Sequence, residues 1–105
     1  MKHIITETEV TAYNYLKEFG FSEVQVDALI MQGKKDLYNE LTKLKILLDT
    51  DAASLDDINN VLHALKGLFF QLGNHDVAEK LNDIRSESTR ETILKEISEL
   101  LFIAK

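Results

Sequence analysis

The run Val61-Leu62-His63-Ala64-Leu65-Lys66-Gly67-Leu68-Phe69-Phe70-Gln71-Leu72-Gly73 sets a histidine, a lysine and a glycine at positions i, i+3 and i+4 of an apolar segment. Imidazole is both a nucleophile and a general base, with a large neutral fraction near neutral pH. On a helix, residues three and four further on lie beside it. Lys66 is therefore within reach of any group attached to the His63 ring. Gly67 removes the side chain from the adjacent position and leaves room for a bulky group or an approaching partner. Glycine inside a helix costs about 1 kcal/mol against alanine, so its place here needs a reason. The three residues together describe an exposed nucleophile beside a cation, with steric clearance.

A wheel at about 100° per residue separates the segment into two faces. Ile58, Val61, Leu62, Leu65, Leu68, Phe69 and Leu72 form a broad apolar stripe. Asp56, Asn59, Asn60, His63, Lys66, Gly67, Phe70 and Asn74 fall opposite. This predicts that His63 points to solvent near the middle of its helix. Phe70, one turn beyond Gly67, offers an apolar docking contact beside polar groups. Asn59 and Asn60 offer neutral hydrogen bonds on the other flank.

The elements that carry this face are read from caps and periodicity. Thr6 with Glu9, Ser22 with Gln25, and Ser88 with Glu91 fit capping boxes. Ser54 with Asp57 and Asp76 with Glu79 are looser versions. Apolar residues follow at helical spacing: Ala12, Leu16 and Phe19; Leu37, Leu41, Leu44 and Leu48; Val77, Leu81 and Ile84; Ile93, Ile97, Leu100 and Ala104. Helices are predicted at about 7–19, 23–48, 55–73, 77–86 and 89–104. Gly20 closes the first, and Gly33 is expected to bend or split the second. The loops are short, so neighbouring helices should pack antiparallel. Zero prolines and four glycines favour helix over a turn-rich β fold.

The totals limit the function. The 105 residues suit a single domain spanning 1–105. With no cysteine, disulfides and cysteine-rich zinc sites are excluded. His3, His63 and His75 form no ligand-spacing pattern, so no metal site and no cofactor is expected. A formal net charge of −6 argues against nucleic acid and against anionic membrane surfaces. No apolar run approaches the roughly 18 residues of a membrane span, and the opening MKHIITETEV holds no signal-peptide core. The expected location is the cytoplasm. No P-loop or glycine-rich nucleotide loop is present, so an ATP-dependent kinase is not expected.

His63-Ala64-Leu65-Lys66-Gly67, followed by Gly73, resembles the H-x-x-K-G signature of histidine-containing phosphotransfer domains. The resemblance covers about residues 20–104 in layout, with motif-level specificity confined to 61–73. It implies an antiparallel four-helix bundle with an additional N-terminal helix. It also implies that His63 accepts a phosphoryl group, at Nε2, from an aspartyl phosphate on a receiver domain. Lys66 would stabilise the phosphoryl charge, Gly67 would admit the partner, and Gly73 would help end the helix. Asn59, Asn60 and Phe70 would meet the partner. Such a domain is a phosphocarrier rather than an enzyme. Mg²⁺ would belong to the receiver, and the carrier is expected to be a monomer.

The chain departs from the family in one respect. The two positions after Gly67 are commonly small, and here they are Leu68 and Phe69. Different packing is therefore expected around Phe69. Other readings are a non-catalytic helical interaction module, a small enzyme using His63 as general base, and a homodimer joined through the apolar LLFIAK end. The general-base reading lacks a carboxylate, serine or cysteine clearly paired with His63.

Overall fold

The computed structural model describes residues 2–50, 54–85 and 89–102. All regular secondary structure among them is helical: α1 (Lys2–Glu18), α2 (Glu23–Leu48), α3 (Leu55–Gln71), α4 (His75–Arg85) and α5 (Arg90–Ile97). A π-helical turn, Ser98–Phe102, continues α5.

Side-chain caps start two of these helices as the sequence predicts. Ser22 Oγ accepts from the Gln25 N–H at 3.3 Å, and Gln25 Oε1 accepts from the Ser22 N–H at 3.0 Å. This reciprocal box pins the first residues of α2. Ser54 Oγ accepts from the Asp57 N–H at 3.1 Å, at the start of α3. Thr6, by contrast, lies inside α1, which begins several residues before the predicted start. Ser88 lies outside the described residues.

The cap of α4 also differs from expectation. Asn74, not Asp76, caps this helix: its Oδ1 accepts from the Val77 N–H at 3.4 Å. The wheel puts Asn74 on the solvent face of α3. That helix ends at Gln71, and Gly73 turns the chain with φ of 82°, so the wheel's phase does not extend to Asn74. The side chain points inward, buried, and its Nδ2 donates to the buried Thr8 hydroxyl at 2.9 Å. A hydrogen bond in this position offsets the cost of burying both groups.

Each helix turns one stripe to a shared apolar core. Leu37, Leu41 and Leu44 of α2, Ile58, Leu62, Leu65 and Phe69 of α3, and Leu81 of α4 lose all contact with solvent. Consecutive helices pack on one another from α1 through α5. Phe69 is the largest fully buried side chain. Its bulk is thus accommodated inside the core, where burial of such a ring contributes about 1.5–3 kcal/mol.

Three expectations about packing are corrected. Gly33 does not split α2, which is continuous from Glu23 to Leu48. It is a contact point: a Cβ there would lie 2.8 Å from Leu72 Cδ2. Phe19 is not core but 63% exposed, because α1 ends at Glu18 and Phe19 leaves its inward stripe. In the last segment the buried residue after Ile93 and Ile97 is Leu101, while Leu100 is only half-buried. The π turn widens the spiral and moves the inward position on by one residue. Ala104 lies outside the described residues.

Candidate functional site

The α3–α4 hairpin builds the candidate site. Gly73 accepts a positive φ of 82°, and the Gly73 and Asn74 N–H groups donate to Phe70 O and Phe69 O at 3.0 and 2.9 Å. This closes α3 tightly and sends α4 back along it. The return sets a fixed register. His63 Nδ1 lies 3.2 Å from Arg85 Nη1, and Lys66 Nζ donates to Asn82 Oδ1 at 3.1 Å. A step of three residues forward on α3 meets a step of three residues back on α4. The two pairs are therefore successive cross-links between antiparallel helices.

His63 is exposed on α3, as the wheel predicts, and Leu62 beneath it is fully buried. Lys66 is half-buried, with its ammonium drawn toward α4 by Asn82. The cation that touches the imidazole is Arg85. Arginine is always charged and only donates, so the contact defines Nδ1 as the accepting nitrogen. Arg85 is also the last residue of α4, where a cation complements the exposed carbonyls of the helix end. His63 is the polar partner of Arg85 among the described residues. The Arg85 Nε, although buried, has no hydrogen-bond partner there.

Gly67 faces open space: among the described residues, a Cβ built on it meets nothing within 4 Å. The glycine is therefore not required by packing against the described residues. Phe70 is 58% exposed. Its ring lies 4.7 Å from that of His75, which meets the Tyr15 ring edge-on at 5.3 Å. Tyr15 in turn meets Phe19 at 5.0 Å, and Phe19 meets Phe21 at 6.5 Å. An aromatic row thus runs from the site helix to the α1–α2 turn.

The two asparagines are divided. Asn60 is exposed and lies beside Lys43, Ile46 and Leu47, in a shallow groove between α2 and α3. Asn59 is half-buried, and its Oδ1 is buried without a hydrogen-bond partner among the described residues. Among the described residues, no group of three or more histidine, aspartate and glutamate side chains is placed to hold a metal ion. No helix there is long and apolar enough to cross a membrane.

Asn82, Arg85 and the His75 ring are site features that the sequence reading did not single out. One signal was available: Asn82 and Arg85 have the same i, i+3 spacing as His63 and Lys66. Without the hairpin register, nothing in that spacing says which residues meet.

Comparison with family models, with curated proteins and with solved structures gives no match.

Proposed function

We propose that this protein is a phosphocarrier of the histidine-phosphotransfer type, with its helices in an antiparallel four-helix bundle preceded by α1. His63 takes a phosphoryl group from a receiver-domain aspartyl phosphate and passes it to another receiver. The observation that carries this reading is the pairing of exposed His63 with empty space over Gly67 on the same face. A nucleophile that serves a docked protein needs such clearance; a core histidine does not.

The chemistry asked of the chain is modest. Phosphoryl transfer proceeds through a loose transition state, so alignment and charge stabilisation supply most of the rate. The imidazole nitrogen attacks phosphorus, and the bond to the aspartate oxygen breaks with its electron pair. Lys66 and Arg85 supply positive charge on either helix. Mg²⁺, held by the receiver, would complete the neutralisation. Phe70 and the neighbouring aromatic rings provide apolar contact area for the partner.

The test is a transfer assay. Radiolabelled phospho-receivers are mixed with wild type and with His63→Gln. Label that moves to the wild type alone, as an acid-labile and alkali-stable adduct, supports the relay. If no receiver in a complete panel donates, the relay is wrong. Receiver binding without transfer would then mark an adaptor.

A further inference from the structure

We infer that Arg85 governs which ring nitrogen of His63 holds the proton, and so acts as a positioning residue for the nucleophile. This rests on the phosphocarrier reading for its consequence, though not for its geometry. The guanidinium has donors and no acceptor. At 3.2 Å it can meet Nδ1 only where Nδ1 offers a lone pair. In the neutral ring the proton is then on Nε2.

That tautomer is not ready to attack through Nε2, because the lone pair needed to form the N–P bond is occupied by the proton. For attack to occur, Arg85 must leave Nδ1 and the ring must exchange its proton, through solvent, from Nε2 to Nδ1. Nε2 then attacks phosphorus. The N–P bond forms, the acyl-phosphate P–O bond breaks, and the electron pair leaves with the aspartate carboxylate. The ring now bears a phosphoryl group on Nε2 and a proton on Nδ1. Loss of that proton to solvent restores the Nδ1 lone pair, and Arg85 can return to it.

The returning contact has a second consequence. Imidazole leaves phosphorus most readily when its other nitrogen is protonated. A guanidinium on Nδ1 occupies the lone pair that a proton would take and so protects the N–P bond from water. Arg85 thus restrains the ring before transfer and preserves the phosphoryl group after it. Two features of its surroundings suit a group that must move. Among the described residues no carboxylate pairs with Arg85, and its buried Nε lacks a hydrogen-bond partner. The competing cation, Lys66, is engaged with Asn82.

The test reads the ring nitrogens by NMR of nitrogen-15-labelled protein, above the pH at which the ring is protonated. Wild type is expected to show Nε2–H with Nδ1 as a hydrogen-bonded acceptor. Arg85→Met should shift the ring toward the tautomer mixture of free histidine, while Lys66→Met should not. A wild-type ring carrying its proton on Nδ1 overturns the inference without recourse to any variant. So does an Arg85→Met spectrum identical to wild type. The protein is then phosphorylated with phosphoramidate, which releases ammonia as the ring takes the phosphoryl group and needs no receiver. The phosphohistidine of Arg85→Met should have a half-life roughly fivefold shorter, within what one charged donor supplies. An equal or longer half-life overturns the protective role. Tautomer control by Arg85 in a protein that no receiver phosphorylates would defeat the relay and leave the tautomer assignment standing. Transfer from a receiver with an Arg85-independent tautomer would do the reverse.

Discussion

Lys66 Nζ donates to Asn82 Oδ1 at 3.1 Å, one step along the hairpin from the contact between His63 and Arg85. The resting lysine is thus tied to α4, while the arginine is on the ring. Both side chains are long enough to move toward a group on His63. In a phosphocarrier, the lysine must exchange its neutral amide partner for the phosphoryl oxygens.

Removing either end of the Lys66–Asn82 pair should have unequal effects. On the phosphocarrier reading, Lys66→Met removes a charge from the transition state and should lower the phosphoryl-transfer rate about 10-fold or more. Asn82→Ala frees the ammonium without removing it and should hold the rate within about threefold. Each should change stability by less than about 1 kcal/mol, because the hydrogen bond is exposed. Rapid-quench transfer assays with parallel denaturant melts check both. Equal losses of rate in the two variants would place the lysine in a purely structural role.

Gly67→Ala should separate folding from docking. Among the described residues the added methyl meets nothing within 4 Å, and alanine is the better helix former by about 1 kcal/mol. The variant should therefore gain about 0.5–1 kcal/mol of stability in a urea melt. On the phosphocarrier reading, receiver binding, followed by calorimetry, should weaken, since the methyl enters the space a docked receiver would need. A stabler protein with undiminished binding would show that the clearance over Gly67 serves no partner.

Two glycines of matching backbone angle should respond differently to alanine. Gly20 and Gly73 have φ of 83° and 82°. Among the described residues a Cβ on Gly20 meets nothing within 4 Å, whereas one on Gly73 would lie 2.6 Å from Tyr15 Cβ. Gly20→Ala should cost about 1–2 kcal/mol, the strain of the left-handed conformation alone. Gly73→Ala adds a collision with the root of a side chain and should cost about 3 kcal/mol or more. Thermal melts of the two variants give the difference directly.

Asn74 joins the hairpin turn to α1. Asn74→Ala removes the α4 cap and strands the Thr8 hydroxyl, which is fully buried. A loss of about 2–3 kcal/mol is expected, the sum of a cap and an unsatisfied buried group. Thr8→Val on the Asn74→Ala background should recover part of it, because no polar group is then left stranded on α1. A double-mutant cycle measures the coupling. Strictly additive losses would mean that the two side chains do not depend on each other.

Local signals made much of this legible. The bounds of α2 follow from the Ser22–Gln25 box at one end and its leucine spacing toward the other. The exposed side of α3 follows from helical periodicity, and His63, Gly67 and Phe70 all lie exposed on it. Phe19 and Asn74 were misread because each lies just past a helix end, where the periodicity that places a side chain no longer holds.

By itself, the sequence determined the helical class, the inward stripes and the outward placement of His63, because caps and periodicity act over one or two turns. Only the tertiary structure decided that Arg85 reaches the imidazole, that Asn82 holds Lys66, that Asn74 bonds Thr8, and that Leu72 rests on Gly33. These residues are separated by 16 to 66 positions along the chain. Their meeting depends on the register and rotation of one helix against another, which the turn at Gly73 and the shared core set together. Helical spacing specifies the side of a helix on which a residue stands; only packing brings that side to a particular neighbour.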